Sequence, residues 1–219
     1  MNPVVVVDVE TSGLDPKVDK ILEIGWMVLD QGRPVRIVSS VTNPGPVTVT
    51  PEITEINGIT QAMVDAAAPL EDLLARFFNA VEGKLIIGHN IFRFDWPFIA
   101  NALLRQGPGP NAAWELRDCL VDTMAMFKGW KMGLKPQPGQ THAEFVGQVL
   151  EYRVSGLKTS VAACMAEFDI SIDPQLMHGA AVDVLATGKI FEHLVRADVR
   201  LGEVRYPIGW QAISCVRGG

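Results

Sequence analysis

The sequence predicts one α/β domain, a mixed sheet flanked by helices. Three observations carry this reading. The chain opens on a valine run, Val4 to Val9, interrupted only by Asp8. Two alternating apolar segments follow before residue 45. Strand-like and helix-like segments then alternate as far as residue 197. With 219 residues, 48% of them apolar, the chain can bury one sizeable core.

The valine run is β-branched and does not alternate, which predicts a central strand buried on both faces. "KILEIGWMVLD" (20–30) alternates and ends in a turn at Asp30-Gln31-Gly32. "VRIVSSVTNP" (35–44) is a third strand, giving a hairpin or meander. A Pro/Thr-rich loop runs from Pro44 to Pro51. Residues 69–81 have helical periodicity behind Pro69. "KLIIGHN" (84–90) is a short buried strand. A helix follows over 95–107, with Asp95 as N-cap and Gly107 as its stop. Residues 119–127 read as a strand running into a helix.

Residues 128–153 form an atypical loop insertion. Gly and Pro crowd the stretch from Gly129 to Gly139, and a short helix fits 143–150. The insertion carries Lys128, Lys131, Lys135 and Arg153 against Glu144 and Glu151. A solvated loop and a strand-guiding flap both fit that charge. Helical patterns return over 155–168 and 178–197. Residues 1–197 make the domain and 198–219 an appendage. The appendage has an apolar cluster, Tyr206, Pro207, Ile208 and Trp210, that either packs on its own domain or meets a partner.

Charge and cysteines narrow the function. The net charge is −6, and residues 1–95 hold all of it, with 7 basic against 13 acidic residues. Such a chain is ill suited to coating DNA, because that affinity comes from neutralising phosphates. The three cysteines, Cys119, Cys164 and Cys215, are dispersed, which fits a reducing compartment rather than a disulfide framework. No apolar run spans a membrane and no signal pattern opens the chain, so a cytoplasmic location is expected.

Three segments carry acids in suggestive places. Asp8 and Glu10 end the first strand and share one face of it. Two close carboxylates repel unless a cation lies between them, and oxygen ligands suit Mg²⁺ or Mn²⁺. Solvated acids in a loop would give the same pair. "GHNIFRFD" (88–95) puts a Gly-His-Asn turn ahead of Asp95, which an N-cap also explains. "HGAAVD" (178–183) sets His178 five residues before Asp183. On one continuous helix that is roughly 140° of rotation, so the two converge only if His178 precedes the helix. A helix-dipole acid would explain Asp183 by itself. Small residues around it, Gly179 to Ala181 with Ala186 and Gly188, let a helix approach a sheet closely.

Taken in order, these segments resemble the DEDDh group of 3′-to-5′ exonucleases, the DnaQ-like branch of the ribonuclease H-like fold. "EINGITQAMVDAAAP" (55–69), "LVDTMAMF" (120–127) and "SGLKTSVAACMAEFDI" (155–170) are similar to further family segments. The match covers roughly residues 3–196, apart from 128–153. The resemblance implies a metal-dependent 3′-5′ exonuclease acting on single-stranded or frayed DNA ends. It implies that Asp8, Glu10, Asp95 and Asp183 organise two divalent cations, Mg²⁺ or Mn²⁺, with His178 as general base. Thr11, Leu14 and Asn90 take the positions of substrate contacts. Leu14 as a core or turn residue, and Phe94 and Trp96 as core rather than base-stacking residues, stay open. RNA substrates, as for oligoribonuclease or ribonuclease T, and a polymerase-docking or self-associating role for the tail are further readings.

Overall fold

The computed structural model describes residues 4–106, 116–172 and 179–203. One five-stranded sheet organises them: β1 (Val4–Thr11), β2 (Ile21–Asp30), β3 (Arg33–Val41), β4 (Leu85–Gly88) and β5 (Leu120–Asp122). The strand order is β3-β2-β1-β4-β5. The first three strands form an antiparallel meander, and β4 and β5 run parallel to β1. The sheet is therefore mixed, and β1 lies at its centre.

That central place explains the valine run. Val5, Val7 and Val9 face a cluster with α3 (Leu70–Val81) and α4 (Asp95–Gln106). Val4 and Val6 face the long C-terminal helix, α8 (Ala180–Arg196), through Val184, Ile190, Phe191 and Leu194. Helix α3 places Leu70, Leu73, Leu74, Phe77 and Val81 on its buried face at helical spacing. Burying a side chain such as Phe77 stabilises the fold by roughly 1.5–3 kcal/mol.

Close approach of α8 to the sheet depends on glycine. A Cβ on Gly25 of β2 would lie 2.6 Å from Ala180 Cβ and 2.8 Å from its carbonyl carbon. A Cβ on Gly188 would lie 2.6 Å from Met27 Cε. The Gly25–Ala180 contact brings the first turn of α8 down onto β2 at the residue paired with Asp8.

Several local expectations change. Residues 51–65 hold two short helices, α1 (Pro51–Asn57) and α2 (Gln61–Asp65), capped by the Thr50 and Thr60 hydroxyls. Gly58, in the left-handed region at φ 75°, separates them. The loop expected from Gly129 begins later. Helix α5 (Thr123–Lys131) runs through Gly129, where a Cβ would lie 2.9 Å from the Phe145 ring. That glycine serves packing and does not break the helix. Helix α6 (His142–Glu151) follows, started by a Thr141–Glu144 capping box. Its buried Phe145, Val146, Val149 and Leu150 pack with Ala125 of α5, so most of 128–153 is a helical hairpin against the domain. The expected helix over 155–168 is α7 (Val161–Glu167), which starts only where Ser160 caps it.

The chain after α8 is tied back as far as residue 203. The His142 N–H donates to Glu203 O at 2.9 Å, and the Glu203 N–H donates to Gln140 O at 3.0 Å. The apolar cluster from Tyr206 to Trp210 lies outside the described residues, as does Gly107. Among the described residues no helix is long and apolar enough to cross a membrane.

Candidate active site

The site lies where β1 ends. Asp8 and Glu10 project from the face that α8 covers, and Asp183 descends onto them from the first turn of that helix. Asp8, Glu10 and Asp183 each offer a carboxylate oxygen, all within 4.8 Å of one another. Asp95 reaches the same strand end from the opposite face. It is 2% exposed, and its Oδ1 accepts the Val9 N–H at 3.1 Å. The acid expected to cap α4 instead binds across to β1, from the first turn of that helix. His178 lies outside the described residues.

A further acid belongs to this group. Glu23 of β2 sits directly opposite Glu10 in the strand pairing. Its Oε1 accepts the Ser39 hydroxyl at 2.5 Å, and its Oε2 accepts the Ala180 N–H at 3.3 Å. It thereby satisfies an orphan donor at the start of α8, beside Gly179 at φ 88°. An acid set among apolar residues, between Leu22 and Ile24, was the available sequence signal.

Electrostatics follow from this crowding. Burial pushes Asp8 well above the usual carboxylate range, and the carboxylates of Asp95, Asp183, Glu10 and Glu23 push it further. Glu10 is raised to about 7 by burial, then by Asp183 and Glu23. Asp95 also reaches about 7, chiefly through burial, although the Val9 N–H works against the shift. Burial raises Asp183. Among the described residues no ion pair reaches any of these acids. Converging carboxylates without a counter-charge favour the neutral form until a cation arrives. All-oxygen donors suit a hard divalent ion, so this residue set fits Mg²⁺ or Mn²⁺.

Beside the acids runs a groove of about 700 Å³. Glu10, Glu23 and Asp183 line it together with Ile56, Ile59 and Met63. Ile56 is 84% exposed, as is Leu14 at 83%, which excludes a core role for Leu14. Sequence reasoning missed Ile56 and Met63, since single apolar residues on short helices give no periodic signal. Thr11 ends β1 at a register shift, and its hydroxyl donates to Gly13 O at 2.6 Å. Trp96 is buried, and Phe94 packs beside Phe98, so both belong with the core. Asn90 adopts φ 65°, and its buried Oδ1 has no hydrogen-bond partner among the described residues.

Comparison with known proteins gives the family and the fold. The RNase_T family model, described as an exonuclease, matches residues 5–191. A DNA polymerase III PolC-type protein of Thermotoga petrophila is 37% identical over 124 residues, 57% of this chain and 9% of its own length. A protein of Bacillus subtilis named 3′-5′ exonuclease DinG is 31% identical over 137 residues, 58% of this chain and 14% of its own. The chain thus spans roughly a tenth of such relatives. Exonuclease I from Methylocaldum szegediense superposes with a TM-score of 0.69 at 22% identity, over 90% of this chain and 41% of that one. E. coli Exonuclease I in complex with a dT13 oligonucleotide gives 0.65 at 20% identity, over 89% and 41%. The mixed sheet is that of the ribonuclease H-like fold.

Proposed function

The chain belongs to the exonuclease family whose model spans residues 5–191, and on that premise we propose that it is a metal-dependent 3′-5′ exonuclease releasing mononucleotides from single-stranded or frayed DNA ends. The observation that carries the proposal is the convergence of Asp8, Glu10 and Asp183 within 4.8 Å, with no ion pair to any of the three among the described residues. Asp8, Glu10 and Asp183 would hold two divalent cations, with Asp95 supporting the same site from beneath β1. When bound, such cations lower the pKa of an attacking water and offset charge on the phosphoryl group. His178 takes the proton from that water, as a neutral imidazole with an unperturbed pKa near ~6.5 can do.

The groove supplies the substrate side. Its acidic wall suits a phosphate only with cations present, so strand binding and metal binding are linked. Ile56 and Met63 offer apolar surface to a terminal base, and exposed Leu14 wedges against the last bases. Thr11 presents backbone groups to the terminal nucleotide, and Asn90 lies near the bond to be cut. The Exonuclease I complex with dT13 supports a single-stranded DNA substrate. The PolC-type relatives favour a second setting, in which the same domain proofreads beside a polymerase.

Labelled DNA and RNA strands, blocked at one end, test this. A free 3′ end should be shortened one nucleotide at a time in Mg²⁺ or Mn²⁺, and a 3′-capped strand should resist. Preference for RNA would move the substrate assignment to the oligoribonuclease type. Cutting of a closed circle would overturn the exonuclease reading.

A further inference from the structure

We propose that Asp122 and Thr123 are positioning residues for this site, clamping the turn that carries Asn90 and delivers Asp95. The inference rests on Asp95 serving the metal site as set out above.

Asp122 is the last residue of β5 and fully buried. Its Oδ1 accepts the Asn90 N–H at 3.2 Å and the Ala125 N–H at 3.1 Å. Its Oδ2 accepts the Phe92 N–H at 3.4 Å. One carboxylate thus caps α5 and also holds two backbone donors of the turn after β4. Thr123 grips the start of that turn. Its hydroxyl lies 3.1 Å from Gly88 O and 3.0 Å from His89 Nδ1, and its single proton serves one at a time. His89 Nε2–H in turn donates to Thr159 O at 2.7 Å.

The held turn leads rigidly to the acid. The Phe94 N–H donates to Asn90 O at 3.0 Å and the Trp96 N–H to Ile91 O at 2.9 Å. Asp95 lies between those donors and reaches Val9. The clamp also restrains Asn90 in the left-handed conformation, at φ 65°, which few non-glycine residues adopt.

Behind the clamp stands His142. Its Nε2 accepts the Asp122 N–H at 3.0 Å, and its Nδ1–H donates to Leu201 O at 2.7 Å. The chain after α8 is thereby joined to the turn before α4. A helix cap alone would need only the Ala125 bond. The bonds to Asn90 and Phe92, with the Thr123 hydroxyl on Gly88, serve the turn.

Substitution can separate the two roles. Asp122→Asn keeps Oδ1 for Ala125 and Asn90 but turns an NH₂ toward the Phe92 N–H. Thr123→Val removes the hydroxyl at nearly constant shape, and Thr123→Ser restores it. Leu73→Ala, on the buried face of α3, is the stability control. The full chain is assayed on single-stranded DNA with Mn²⁺, each variant well below its melting temperature. Backbone amide exchange at Asn90 and Phe92 is followed in parallel. Asp122→Asn and Thr123→Val should each lower kcat by about tenfold or more through misplacement of Asp95. KM should stay within about threefold. Phe92 exchange should quicken in Asp122→Asn, and Thr123→Ser should match wild type. Retained kcat in Asp122→Asn and Thr123→Val, with Asp95→Asn inactive, would overturn the clamp and leave the exonuclease reading standing. A wild-type chain that cuts no strand would overturn both.

Discussion

Asp95 Oδ1 accepts the backbone N–H of Val9 at 3.1 Å, so an acid on a helix is fastened between the two acids of the central strand. That bond crosses β1 from the α4 face to the strand end. It makes Asp95 both a charge near the site and a pin for the strand that presents Asp8 and Glu10.

Charge and pin can be pulled apart. Asp95→Asn retains an amide oxygen for Val9 while removing the negative charge. Folding stability should hold or rise, because the charged form is disfavoured by burial and by neighbouring acids. Activity should fall by two orders of magnitude or more. Asp95→Ala should in addition lose about 1–3 kcal/mol, the cost of leaving a buried N–H unpaired. Denaturation midpoints beside turnover rates distinguish the two, and equal stability of both variants would remove the pin.

The metal-free protein should lose stability as pH rises through the range of these acids. Glu10 and Asp95 titrate near 7 when folded, from ordinary values of 4.5 and 3.8. Between those limits the folded state binds more protons than the unfolded one, so unfolding becomes easier with rising pH. Their full contribution is present below about pH 4 and is lost by passage through about pH 7. His142 acts in the opposite sense. Burial lowers it to about 4, so its contribution is present above 6.5 and is lost as pH falls toward 4. Thermal melts in EDTA should show decline on the alkaline side that Mn²⁺ reverses far more at pH 8 than at pH 5. A Glu10→Gln variant that kept the full decline would contradict the assignment.

Much of this arrangement was legible in the sequence, for identifiable reasons. Asp8 and Glu10 share a face because strands alternate, and the valine run fixed their strand as central. The small residues around Asp183 announced a helix pressed to the sheet, which Gly25 and Gly188 complete. Glu23 was overlooked because its strand was read only for apolar alternation. Helices α1 and α2 span only 7 and 5 residues and form through threonine caps, which leave no periodic pattern. Gly129 misled because its value is room for the Phe145 ring, a contact no local pattern reveals.

Gly25 gives a test of helix-to-sheet distance. Gly25→Ala would place a methyl 2.6 Å from Ala180 Cβ. Relief requires α8 to move, at a cost of about 1–3 kcal/mol for overpacking. Asp183 rides on the first turn of that helix, so Mn²⁺ affinity should fall along with the melting temperature. Gly147→Ala, at an exposed position where a Cβ meets nothing within 4 Å, should leave both unchanged. Gly25→Ala with wild-type Mn²⁺ affinity would break the link between helix packing and the metal site.

The division of labour between the acids and His178 is decided by measuring Mn²⁺ binding calorimetrically beside single-turnover cleavage of single-stranded DNA. Wild type, His178→Ala and Asp183→Asn are compared under one set of conditions. His178→Ala should bind Mn²⁺ as wild type does while cleaving on the order of 10²–10⁴-fold more slowly, the usual cost of losing a general base. Asp183→Asn should lose both binding and cleavage. Loss of Mn²⁺ in His178→Ala equal to that in Asp183→Asn would make His178 a ligand or a support, and an undiminished rate would remove it from the reaction.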